Sequence, residues 1–223
     1  MATMIVYGSN LSPFVRKVLV YAAEKGLTLE LVAAGLGRGG PDFKETSPFG
    51  KMPGFRDPGA DGGKDFCISD STAIIAYLEA KYPQNPLIPI DPIGRARTVW
   101  FEEFADTILF AMGSKIFFNR FVAPKVLKAG GDEGIAAAAV AHELPPILDY
   151  LEGVVPPSGF LVADRLTVAD IAVASPFVNL GHVDVVVDPA RWPKAGAYLV
   201  GIHARPSFAP LIAAEQRMVA QFG

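Results

Sequence analysis

Apolar positions in the first third of the chain switch between two periods. Thr3–Tyr7 (TMIVY) is β-branched and aromatic, and Thr28–Val32 (TLELV) is a second β-rich run, so both predict strands. Between them, Ser12–Gly26 carries Phe14, Val18, Val20, Tyr21 and Ala22 in a broad stripe that predicts a helix. Ser12 suits its N-cap, Pro13 its first helical position and Gly26 its C-terminal stop. Strand, helix and strand within about thirty residues predict a βαβ unit with a right-handed crossover. Gly54–Asp57 and Asp65–Ile68 predict two short strands around the turn signal GADGG. Ser71–Lys81 then predicts a helix with Ile74, Ile75 and Leu78 on one face.

From Tyr82 the texture changes. YPQNPLIPIDP holds four prolines in eleven residues without periodicity, and reads as a linker. Beyond it the pattern is helical: a long run opens at Asp91-Pro92 and extends to about Val122. An alanine-rich run starts near Asp132, and a third follows LTVADIAVA. Pro145 and Pro146 lack N–H groups, so a kink or a fresh helix start is expected near Leu144. Two textures predict two domains, an α/β domain over 1–82 and an all-helical domain over 92–223, with 83–91 as linker.

Composition narrows the function. Of 223 residues 51% are apolar, yet no window approaches a membrane span. The start reads as a strand rather than a secretory signal. A net charge of −3 with mixed signs gives no footprint for nucleic acid or an anionic membrane. The single Cys67 excludes an intrachain disulfide framework and fits a reducing, cytoplasmic setting. His142, His182 and His203 are widely spaced and predict no metal site.

Three strings carry candidate chemistry. In GKMPGF, Pro53 precedes a short strand, where a proline marks a strand start or a cis turn; an ordinary loop proline is the alternative. In ISDSTAI, Asp70 and Ser71 stand at a helix start, where amides and the positive dipole end favour an anion, or where they simply cap. LTVADIA reads as a capping box, with Thr167 as cap, Asp170 reaching back and Leu166 stapling onto Ile171.

In this order and spacing the three strings resemble the cytosolic glutathione transferases, over essentially the whole chain, in its serine-type theta/tau/phi-like branch. The resemblance implies a thioredoxin-like α/β N-terminal domain followed by an all-α helical bundle. It also implies a homodimer, glutathione as co-substrate, no metal, and a small hydrophobic electrophile as acceptor. Met52 beside Pro53 would hold the cysteinyl backbone of glutathione, Asp70 and Ser71 its γ-glutamyl end, and Lys51 its glycyl carboxylate. Ser12, four residues before Arg16 as in SPFVR, would donate to the thiolate; the alternatives are Tyr7, Ser9 and Asn10, or a Ser12 that only caps. The acceptor pocket would draw on Phe14, Trp100, Phe104, Phe117 and Arg120, with Phe118 and Phe121 also candidates. The glycine-rich loop Ala33–Phe43 would shape it, and Glu103 or Asp106 would reach the partner subunit. Reductive dehalogenation, ether cleavage and a non-catalytic binding role on the same fold remain open.

Overall fold

The computed structural model describes residues 3–35, 37 and 39–222, so Leu36 and Arg38 of the glycine-rich loop lie outside the described residues. Two compact units, Met1–Leu87 and Ile88–Gly223, divide within the proline-rich stretch.

The first unit is built on four strands: β1 (Met4–Gly8), β2 (Leu29–Ala33), β3 (Gly54–Asp61) and β4 (Lys64–Ser69), in the spatial order β2-β1-β3-β4. β1 and β2 are parallel, and α1 (Pro13–Glu24) is the crossover between them. β3 runs antiparallel to both β1 and β4. The strand period divides β1 between two layers. Gly8 approaches α1 so closely that an added Cβ would stand 2.4 Å from Val15 Cγ2, whereas Tyr7 packs on the opposite face with Ala34 and Phe43. α3 (Ser71–Lys81) packs beside α1.

The sheet departs from the sequence reading in two places. β3 continues through Pro58 to Asp61, with a register irregularity between Asp57 and Asp61 that absorbs the proline's missing donor. The turn therefore shrinks to Gly62-Gly63, whose φ values of 57° and 91° suit a tight two-residue hairpin. A short helix, α2 (Pro41–Thr46), also occupies part of what reads as loop, starting on Pro41 at its first turn.

The second unit is helical. α4 (Pro92–Glu103) and α5 (Phe110–Phe117) form one run with wide π-helical turns over Phe104–Leu109 and Phe118–Val126, the latter holding Pro124. The run thus ends a few residues beyond the expected Val122. α6 (Glu133–Ala138) leads through a π-helical turn at Ala139–Glu143 into α7 (Leu144–Val154). Glu143 and Leu144 keep helical dihedrals, and Leu144 N–H donates to the Ala139 carbonyl, so the disturbance expected from Pro145 and Pro146 takes the form of a π-helical turn within a continuous run rather than a fresh start.

α8 (Val168–Gly181) is buried from Val168 to Leu180 and packs against α4, α5 and α9 (Pro193–His203); α10 (Ala209–Ala220) closes the chain. The expected capping box opens α8. The Asp170 carboxylate accepts from Thr167 N–H at 2.9 Å, and its other oxygen accepts from Leu161 N–H at 2.8 Å. Among the described residues no helix is long and apolar enough to cross a membrane.

Candidate active site

Strand register gathers the site residues of the first unit. Tyr7 pairs with Gly54, and Gly54 pairs with Ser69. The C-terminal end of β1, the start of β3 and the C-terminal end of β4 therefore share one end of the sheet. Chain continuity then places Ser12, the Lys51–Pro53 loop and Asp70 at that end. Asp70 N–H donates to the Pro53 carbonyl at 3.3 Å, which closes the arrangement. Both α1 and α3 begin there, so two positive helix ends serve the same region.

Ser12 is half-buried and caps α1 in extended conformation; its Oγ accepts from Val15 N–H at 3.4 Å. That bond is long, and it leaves the hydroxyl proton to be given elsewhere. Ser12 N–H donates to the Ser9 carbonyl at 2.9 Å, and Ser9 Oγ accepts from Leu11 N–H at 3.3 Å, so the Ser9–Ser12 turn is internally braced. Tyr7 is 5% exposed, and burial raises its pKa, so its phenol stays neutral.

Met52–Pro53 is cis, as the sequence motif leads one to expect. The loop is held from behind: Ser47 Oγ donates to the Lys51 carbonyl at 2.7 Å. The Met52 side chain packs on the Tyr7, Ala34 and Phe43 cluster and against Gly35. A Cβ on Gly35 would stand 2.3 Å from Met52 Sδ, and its φ of +99° also favours glycine. Gly54 is equally constrained, since a Cβ there would stand 2.2 Å from Thr46 Oγ1. Lys51 is exposed at the edge of this loop.

Asp70 adopts φ 81°, ψ 129°, a conformation that costs a non-glycine residue about 1–3 kcal/mol and clusters at functional sites. Its Oδ1 accepts from Thr72 and Ala73 N–H at 2.9 and 3.2 Å, which helps hold the backbone there. Oδ2 takes neither bond. Ser71, at the first helical position, is buried at 3% exposure. Lys17 Nζ lies 3.5 Å from Thr72 Oγ1, so α1 and α3 are also joined by side chains near their starts.

The remaining sequence candidates are spread more widely. Phe14 is half-buried with Lys17 Nζ 6.0 Å from its ring centre. In the helical unit Phe104 and Phe117 are buried, the first against Tyr150 and the second stacked on Phe121 at 5.1 Å. Trp100 is half-exposed and donates to the Tyr150 hydroxyl at 3.0 Å. Phe118 is exposed. Arg120 pairs with Glu133 at 2.6 Å, and this pairing raises the arginine's pKa.

Sequence reasoning missed α2 and its tether. Arg56, on β3, bonds Glu45 of α2 at 2.6 Å and Asp65 of β4 at 2.8 Å, with Asp42 at 3.6 Å. The available signal was Pro41 followed by acidic residues, a helix start hidden behind four glycines.

Comparison with known proteins agrees with this geometry. Residues 6–86 match the profile of the glutathione S-transferase N-terminal domain, and residues 109–206 that of the C-terminal domain. Glutathione S-transferase 3 of Zea mays is 30% identical over 96% of this chain and 95% of its own length. A glutathione S-transferase structure from Rhodospirillum rubrum superposes with a TM-score of 0.83 at 26% identity, covering 94% of this chain and 91% of that one. One from Methylobacterium radiotolerans, in complex with glutathione sulfonate, reaches 0.73 at 27% identity and covers 95% of each chain. With Ser12, the Lys51–Pro53 loop and the Asp70–Ser71 helix start assembled at one end of a thioredoxin-like sheet, the chain belongs to the glutathione S-transferase family of enzymes.

Proposed function

We propose that the protein ionises the thiol of glutathione and joins its sulfur to a small hydrophobic electrophile. A sulfur–carbon bond forms, the thiol proton passes to solvent, and the acceptor's leaving group departs with its electron pair. The observation that carries this reading is the register that brings Ser12, Met52 and Asp70 to one end of the sheet, under two helix N-termini. The complex of the Methylobacterium relative with glutathione sulfonate supports the choice of ligand.

Each residue then has a physical task. Ser12 Oγ–H donates to the thiolate at the positive end of α1. Lowering a thiol pKa from about 8.5 by two units needs roughly 2.7 kcal/mol, within reach of one charge-assisted hydrogen bond and a helix end. The Met52 backbone pairs with the cysteinyl unit, and Lys51 meets the glycyl carboxylate. Ser71 and the first amides of α3 hold the γ-glutamyl carboxylate, while Asp70 Oδ2 takes its ammonium. Aromatic side chains of the helical domain, Trp100, Phe104 and Phe117 among them, receive the hydrophobic acceptor, with Arg120 available to an anionic group on it.

The active form is a homodimer working in the cytoplasm. Phe49, 93% exposed, and Ile90, 83% exposed, are large apolar side chains of the kind a partner subunit covers. Incubating the purified protein with glutathione and a panel of electrophiles, with products read by mass, should give thioethers. Products lacking a carbon–sulfur bond would point to reductive dehalogenation, and unconsumed glutathione across the panel would reject the transferase reading.

A further inference from the structure

α3 is pinned to β3 at two points, and these two elements carry the two halves of the proposed glutathione site. The near pin is the Asp70 N–H bond to the Pro53 carbonyl at 3.3 Å. The far pin is Asp57, the last β3 residue in regular register with β4 before the Pro58 irregularity. Asp57 is 5% exposed, and its Oδ2 accepts from the Tyr77 hydroxyl at 2.8 Å and from Lys81 Nζ. Lys81 also donates to the Tyr77 oxygen at 3.1 Å, so the three side chains close a triangle. Burial and the bond to Asp57 hold the Tyr77 phenol above its ordinary pKa, which keeps it a donor.

The dimensions of strand and helix agree with this arrangement. Four residues of strand place Asp57 about 13 Å beyond Pro53. β3 and α3 both start at the site end and run the same way, and along α3 Tyr77 and Lys81 stand roughly 9 and 15 Å beyond Ser71. Asp57 thus falls level with the gap between them, bonded to both. Apolar packing alone would not supply this fix. Ile74, Ile75 and Leu78 are the buried apolar positions of α3, but hydrophobic contact is non-directional and tolerates sliding along the sheet. The Tyr77 ring stacks on Phe66 of β4 at 4.4 Å, which sets its plane. Its hydroxyl and the Lys81 ammonium set where along β3 the helix stops, because a slide would leave a buried carboxylate without its donors.

We infer that Asp57 is a positioning residue for glutathione: acting through Tyr77 and Lys81, it fixes the distance between the Ser71 end of α3 and the Met52 backbone. The inference rests on the proposed glutathione site, in which those two surfaces grip the γ-glutamyl and cysteinyl units of one ligand. Asp57 itself stands too far along β3 to touch that ligand.

Two variants separate positioning from general stability. Tyr77→Phe keeps the ring and the Asp57–Lys81 ion pair and removes one side of the triangle, while Asp57→Asn keeps the volume and removes the charge. Full-length wild type and both variants are titrated calorimetrically with S-hexylglutathione and with S-hexylcysteinylglycine, which lacks the γ-glutamyl unit. Each variant should bind S-hexylglutathione roughly fivefold more weakly, and S-hexylcysteinylglycine less than about twofold more weakly. The thiolate midpoint of bound glutathione, followed by its ultraviolet absorption, should stay put, because Ser12 stands on α1. If Asp57→Asn folds poorly, Tyr77→Phe carries the test alone. Wild-type binding that the variants leave unweakened would overturn the inference while the glutathione site stands. Equal losses for the two ligands, or a displaced midpoint, would also overturn it, since general loosening would produce either. A wild type that binds no S-hexylglutathione would sink the glutathione site itself, and the inference with it.

Discussion

In the proposed function Ser12 combines two tasks in one hydroxyl: its oxygen takes a helix amide, and its proton is donated to the thiolate. Ser12→Ala should raise the pKa of bound glutathione by one to two units, a loss of roughly 1.4–2.7 kcal/mol. Turnover near neutral pH should fall about ten- to hundredfold, with glutathione affinity less affected. The pH–rate profile separates the tasks. A thiolate defect moves its midpoint upward, whereas lost capping lowers activity at every pH. An unmoved midpoint would reduce Ser12 to a cap. At this scale the sequence was informative because caps and prolines announce themselves locally: Ser12-Pro13, Asp91-Pro92 and Thr167 with Asp170 each stand where a helix begins. The strained φ of Asp70 was not legible, because it arises from the fit of α3 against the Pro53 carbonyl across the sheet.

Elements are shaped by partners distant in sequence, and here local reading lost ground. α2 spans six residues, too few to be stable alone, and depends on Phe43 in the core and on Arg56. Arg56→Ala removes two charge-assisted hydrogen bonds. All three acidic partners are solvent-exposed, so the change should destabilise the fold only modestly, by up to about 1 kcal/mol, read by denaturant titration. Because Phe43 and Met52 share a cluster, KM for glutathione should also rise more than kcat falls. The start of α9 makes the same point: its N-cap is Trp192, which has no acceptor, and Glu152 of α7 caps it from across the bundle. Glu152→Ala should cost about 1 kcal/mol of stability, within the range for lost caps, and a melting curve would show it. A chain read one segment at a time cannot reveal that Glu152 faces an uncapped helix more than forty residues away.

For the whole molecule, one buried carboxylate couples stability to acidity. Asp170 is fully buried, and burial pushes its pKa up to about 6, against the bonds from Leu161, Thr167 and Tyr198 that favour the ion. The unfolded value is about 3.9, so the folded state binds this proton more tightly. Its stabilising contribution is therefore complete below about pH 4 and is lost as pH rises through 6, a swing of roughly 3 kcal/mol. Asp170→Asn removes the titration. Measured from pH 4 to pH 7, wild-type stability should decline relative to the variant by about that amount, and a constant difference would contradict the assignment.

The Gly62-Gly63 hairpin has a practical consequence. β3 leaves the Pro53 end of the sheet and β4 returns to it at Asp70, so the glycine turn sits at the far end, roughly 20 Å from the site segments. Its neighbours are exposed, and it is closed by the pairing of Asp61 with Lys64 around two glycines of positive φ. A cysteine introduced beside this turn, in a background where Cys67 is replaced, would give a single attachment point for a dye or a resin. An enzyme immobilised through it should keep its turnover, with the end of the sheet that holds Ser12 and Asp70 directed away from the support.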